Sequence, residues 1–170
     1  MRLIHLPTFW TVLVDFIAWF IIHVGVALAL VRVSAERFDP NGWLFKSRDW
    51  EGGGELCPRF FKIRKWKAHL PDAAPLLKQW GFPKKRLAEK SDNYFLAFVR
   101  ETCRAEATHW IIVLFAPFFF LWNPLPVGFF MILYALAENI PLIMAQRYNR
   151  CRLRRVIRVD AAQEVRANHG

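Results

Sequence analysis

The chain has 170 residues, of which 55% are hydrophobic and 16% aromatic, with eight Trp and sixteen Phe, yet 24 Lys and Arg against 14 Asp and Glu leave a net charge of +10. The length allows one domain, or a membrane bundle with a modest extramembrane part. An ordinary soluble domain rarely combines this apolar content with so basic a balance, whereas apolar spans flanked by Lys- and Arg-rich cytoplasmic segments produce both at once.

The first element is an apolar run from Phe9 to Val31, interrupted by Thr11, Asp15 and His23. It exceeds the roughly 20 residues needed to cross a bilayer. It is too long for a signal-peptide core, only Arg2 precedes it, and Arg32 interrupts the small residues that follow, so a retained span is expected. Asp15 and His23 lie two helical turns apart, near one face. Inward polar contacts are expected of them, with a catalytic or proton-relay role as the alternative.

Residues 32–106 form the next segment, rich in Pro, Gly and aromatics as far as Ser91. Trp43-Leu44-Phe45-Lys46 and Trp50 with the glycines after Glu51 predict short turns near the headgroups. Arg59 to Lys67 interleaves basic and aromatic residues, which suits an interfacial helix on anionic lipid or a site for phosphates. Nucleic-acid binding is the weakest reading, because such interleaving is not specific. His69 and Asp72 fall in a turn, and Pro71, Pro75 and Pro83 predict loop up to a helix starting near Asp92 or Asn93.

That helix carries a polar cluster, Glu101-Thr102-Cys103-Arg104-Ala105-Glu106-Ala107-Thr108-His109-Trp110, directly against an apolar stretch. Ionisable groups at the edge of a span tend to mark function. At about 100° per residue Glu101, Arg104 and His109 share a face and Glu106 flanks His109 from the other side. Acids bracketing a histidine orient a general base; a helix-end salt-bridge cluster is the equal alternative.

Spans are predicted over 107–122 and 127–145, divided by the turn Asn123-Pro124-Leu125-Pro126. Pro117 and Pro141 are expected to kink them. Three transmembrane helices, or one with a re-entrant hairpin, fit equally. Residues 32–106 carry sixteen Lys and Arg and the tail from Arg147 carries seven, against one at the N-terminus and none at the hairpin tip. The positive-inside rule then places 32–106 and the tail 146–170 in the cytoplasm, where cluster and tail are expected to meet. The fold class is an all-α integral membrane protein, a single domain over 1–170, with a basic, aromatic-rich interfacial segment.

Several chemistries find no support. There is no Gly-rich nucleotide loop, GxSxG elbow or HExxH. Cys57, Cys103 and Cys151 match no zinc or disulfide framework and are expected to be reduced. No metal is expected. Leu114 stands where a His-x4-Asp acyltransferase carries its acid.

Four stretches resemble the glycosyl-4,4'-diaponeurosporenoate acyltransferases, small bacterial membrane enzymes of staphyloxanthin-type carotenoid biosynthesis. They are Phe45-Lys46; Phe61 to Lys67; Glu101 to Trp110; and Asn139-x-Pro141 with Gln146-Arg147-Tyr148-Asn149-Arg150-x-Arg152-Leu153. The resemblance covers about 45–153. It implies transfer of a fatty acyl chain to a sugar hydroxyl of a glycosyl carotenoid or related glycolipid, at the cytoplasmic face of the bacterial cell membrane. Such chemistry needs a base, an oxyanion stabiliser and a place for the leaving group. His109 is assigned as base and Glu106 or Glu101 as its orienting acid, with direct attack favoured over an acyl-enzyme. Arg104, with Arg147 or Arg150, suits the oxyanion or donor phosphate. Asn149 and Gln146 suit sugar hydroxyls, and Lys65 and Lys67 the diphosphate of coenzyme A. Arg64, Trp66, Trp110, Asn139 and Tyr148 complete the expected substrate-binding set. No cofactor is expected; the donor is acyl-CoA or another activated acyl lipid. Partners are lipid substrates and the membrane, with no nucleic acid. The rival readings are a non-catalytic membrane subunit and a transacylase taking its acyl group from phospholipid.

Overall fold

The computed structural model describes residues 3–48 and 92–167, with side chains at 3–48 and 95–155. Within these the regular structure is all helical: α1 (Thr8–Val31), α2 (Asp92–Phe115) and α3 (Leu125–Ala167), with 3-10 turns at Ala35–Arg37 and Ala116–Leu121. Arg59–Lys67, with Arg64, Lys65, Trp66 and Lys67, lies outside the described residues, as do Trp50, Glu51, Cys57, His69, Asp72 and the prolines at 71, 75 and 83.

Three helical stretches are long and apolar enough to cross a membrane: Thr8–Val31, Phe95–Leu121 and Leu125–Arg155. In lipid every backbone polar group must bond internally, which leaves the helix as the available form for such segments. The outward side chains agree with that solvent. Phe9, Phe16, Phe20 and Ile21 on α1, Leu114 and Phe118 around the end of α2, and Phe129, Phe130 and Leu133 on α3 are all exposed. Soluble proteins rarely show apolar surface on this scale.

Pro117 acts where a break is expected. Regular α geometry stops at Phe115, and a 3-10 segment with Pro at its start continues to Leu121. The ring of Pro117 can neither donate to nor clear the carbonyl four residues back. Pro141 is tolerated inside α3, so the Ala137 carbonyl receives no backbone donor from it. The helix runs on to Ala167, beyond the expected span and past Ala145. The polar residues beyond it include neither Pro nor Gly before Gly170, and Gln, Arg and Leu are good helix formers. At 1.5 Å per residue its 43 residues rise about 65 Å, twice a bilayer's hydrocarbon thickness.

Contacts group the chain into two units. The first is Met1–Val33 with Glu106–Ile143, the second Ser34–Ala105 with Met144–Gly170. α2 and α3 each supply residues to both.

In the first unit α1 packs on the hairpin formed by the end of α2 and the start of α3. Trp19 stacks on Phe119 at 4.5 Å and meets the edge of Tyr134 at 5.5 Å, while its Nε1 donates to Met131 Sδ at 3.5 Å. Phe119, Ala116 and Ala135 are fully buried. The hairpin turn is held by Asp15, whose Oδ1 accepts from both Trp122 Nε1 and Asn123 Nδ2 at 2.7 Å. The inward polar contact expected of Asp15 is therefore present. Gly128 lies under the ring of Phe120: a Cβ there would stand 2.9 Å from Phe120 Cγ and closer to two other ring carbons. Gly128→Ala is accordingly expected to destabilise the hairpin by about 1–3 kcal/mol, the usual cost of overpacking, measurable as a lowered thermal midpoint in detergent.

In the second unit the loop at 39–47 is fastened to α3. Asp39 shapes its turn, accepting from Asn41 N at 2.9 Å, and Lys46 N donates to the Gly42 carbonyl at 2.9 Å. Arg147 donates to the Leu44 carbonyl at 2.6 Å, Arg154 to Asn41 Oδ1 at 2.8 Å, and Arg150 sits 5.8 Å over the ring of Phe45. Spacings of three, four and seven put these arginines on one helix face.

Candidate active site

The first unit gathers His23, Glu106, His109, Trp110, Glu138 and Asn139. Counting back from Leu121 along the 3-10 segment and α2, His109 lies about 20 Å from the hairpin tip; counting forward from Leu125, Glu138 and Asn139 lie at the same distance. His109 Nδ1 is 2.9 Å from Asn139 Oδ1. The direction of this bond is fixed by a second one. Asn139 Nδ2 donates to the Ala135 carbonyl at 2.9 Å, and because a carbonyl can only accept, the amide oxygen must be the atom facing His109. Nδ1 therefore carries the proton, and the neutral ring keeps a lone pair on Nε2. Asn139 is 1% exposed, so water does not compete for the bond.

In this geometry the partner of His109 Nδ1 is an amide from α3, and the two expected acids make other contacts. Glu106 is fully buried on the same unit, and its Oε1 accepts from Trp110 Nε1 at 3.3 Å. Glu101 is ion-paired with Arg104 one turn along α2, in the second unit. Face arithmetic on α2 alone brings these acids near the histidine, but it has no view of a side chain thirty positions away.

A second polar couple lies beside the first. His23 Nδ1 is 2.8 Å from the Trp19 carbonyl, and His23 Nε2 is 3.2 Å from Glu138 Oε1, at ion-pair distance without the alignment of a hydrogen bond. His23 thus makes an inward polar contact. Neither it nor Glu138 was among the expected site residues, although a lone histidine in one span and a lone acid in another were the signal.

The remaining expected residues that lie within the described part of the chain fall in the second unit. Arg147 and Arg150 are buried and engaged as described above, with Arg150 Nη1 also 3.6 Å from Cys103 Sγ. The first half of the polar cluster and the basic stretch of α3 thus do meet, at Cys103 and Arg150. Tyr148 is buried, while Gln146 and Asn149 are partly exposed. Cys103 and Cys151 are both buried free thiols. Among the described residues no three metal-ligating side chains come together.

The family model for glycosyl-4,4'-diaponeurosporenoate acyltransferase matches residues 41–159. The chain belongs to this acyltransferase family. The glycosyl-4,4'-diaponeurosporenoate acyltransferase of Staphylococcus aureus strain USA300 is 32% identical over 141 residues, covering 83% of this chain and 84% of the relative. That of strain bovine RF122 / ET3-1 is 31% identical over the same shares. No solved structure matches. The family match spans all of α2 and most of α3, so His109 and Asn139 both lie within it.

Proposed function

We propose that this membrane protein is an O-acyltransferase that esterifies a sugar hydroxyl of a glycosylated lipid, a glycosyl carotenoid or a related glycolipid, with His109 as general base. The observation that carries the reading is the bond from Nδ1 to Asn139, which leaves Nε2 with its lone pair. As the acceptor oxygen attacks the acyl carbonyl, its proton passes to Nε2. The tetrahedral intermediate then collapses, the bond to the leaving group breaks, and the leaving group takes the proton back from the imidazolium. His109 ends as it began, and no cofactor is consumed. With acyl-CoA as donor the departing group is the thiolate.

Direct transfer fits better than a covalent intermediate. Cys103, the thiol nearest in sequence to the base, has no exposed surface, and a buried thiol is a poor nucleophile. Cys103→Ser is therefore expected to keep turnover within about threefold of the parent, well short of the loss expected for a nucleophile. Both substrates carry apolar chains, which suits a site reached from lipid, and the charge asymmetry of the chain favours the cytoplasmic face.

The deciding experiment supplies purified protein in lipid nanodiscs with a glycosylated carotenoid acceptor and either acyl-CoA or phospholipid, and detects the sugar ester by mass spectrometry. Ester from acyl-CoA is expected. Ester from phospholipid alone would make the protein a transacylase, and no ester from any activated donor would favour a non-catalytic subunit.

A further inference from the structure

The couple formed by His23 and Glu138 has no part in the proton transfer just described, yet its chemistry is constrained. The Trp19 carbonyl can only accept, so His23 Nδ1 carries a proton and Nε2 is the atom turned to Glu138 Oε1. A neutral imidazole against an ionised carboxylate would set lone pair against lone pair. The approach is favourable only when the couple holds one proton, as imidazolium paired with carboxylate or as imidazole with carboxylic acid. Either form leaves the couple neutral overall. That matters here, because both residues sit in apolar spans where an uncompensated charge is expensive.

Position adds a second constraint. Glu138 and Asn139 are consecutive on α3 and point about 100° apart, the first to His23 of α1 and the second to His109 of α2. Pro141 removes a backbone hydrogen bond from this turn, so the two side-chain ties hold what the backbone does not. We propose that His23 and Glu138 are a positioning couple that shares one proton and clamps the turn of α3 carrying Asn139, so that His109 keeps its Nδ1–H tautomer. α1 thereby takes part in setting the base, although it supplies no reacting atom.

The inference rests on the reading of His109 as base, and its test is chosen to fail separately. Protein labelled with 15N at histidine is reconstituted in nanodiscs, and the ring nitrogens of His109 are read alongside kcat and KM. The variants are His23→Leu, Glu138→Leu, Glu138→Gln and the swap H23E/E138H. In the leucine variants the His109 signals are expected to move from one tautomer to a mixture, with kcat down about tenfold or more and KM nearly unchanged, as displacement of a positioned group produces. The swap is expected to restore the single tautomer and most of kcat. Glu138→Gln, whose amide can still donate to His23 Nε2, should fall between the parent and Glu138→Leu; it decides the matter if the leucine variants do not insert. A single-tautomer spectrum in inserted Glu138→Leu, equal behaviour of the glutamine and leucine variants, or a swap without rescue would each overturn the couple. The spectrum needs no turnover, so an active His109→Ala would sink the base assignment while leaving the couple's own test in force.

Discussion

Replacing His109 by alanine is expected to lower acyl transfer by about 100- to 10,000-fold, the range over which a positioned general base contributes, while the protein still inserts and remains helical. The expectation of an intact fold has a structural basis. His109 is partly exposed and, among the described residues, makes a single hydrogen bond, so its removal strands no buried charge there. Asn139 keeps its bond to the Ala135 carbonyl, and its Oδ1, a neutral acceptor, loses one donor at a cost of about 1–3 kcal/mol, short of unfolding the hairpin. Product formation under saturating donor, with helicity followed by circular dichroism, reads both halves of the expectation. Turnover near that of the parent would remove His109 from the base role.

Asn139→Leu is expected to lower kcat by about ten- to a hundredfold with little change in KM, because the ring would then divide between two tautomers and lose its orientation. Leucine nearly matches asparagine in volume and brings no unsatisfied polar atom into a site that is 1% exposed, which separates loss of the bond from loss of packing. Asn139→Asp should retain more activity than the leucine variant, since a carboxylate oxygen still accepts from Nδ1. If the two variants lose kcat equally, the bond does not orient the base. A rise in KM with kcat intact would instead make Asn139 a substrate ligand, the role its sequence context implies.

The three spans, the upstream start of α2 near Asp92 and the break at Asn123-Pro124 were all legible, since hydropathy and Pro placement act locally and strongly. The end of α3 was not. A change from apolar to polar residues at Gln146 reads as an exit from lipid, but it contains nothing that stops a helix. The histidine itself was visible at the foot of a span; its partner was not, because helical spacing reports neighbours three and four residues away. The hairpin offered another kind of count. His109 stands fourteen residues before Asn123, and Asn139 fifteen after Pro124, so folding the chain at the turn brings them level.

The contact of Asp15 with Trp122 and Asn123 bears on how the protein is made. From Ile111 to Ala137 the chain has no Asp, Glu, Lys or Arg, so lipid resists the hairpin only through the polar groups of its turn. Two of those donors are taken by one carboxylate oxygen of α1. Apart, each side lacks that polar partner at the edge of the spans; together, each answers the other. Synthesis runs from the N-terminus, so α1 emerges before the hairpin, and the acceptor is already in place when the donors arrive. A chain permuted to deliver the hairpin first would meet a barrier to insertion that the natural order avoids.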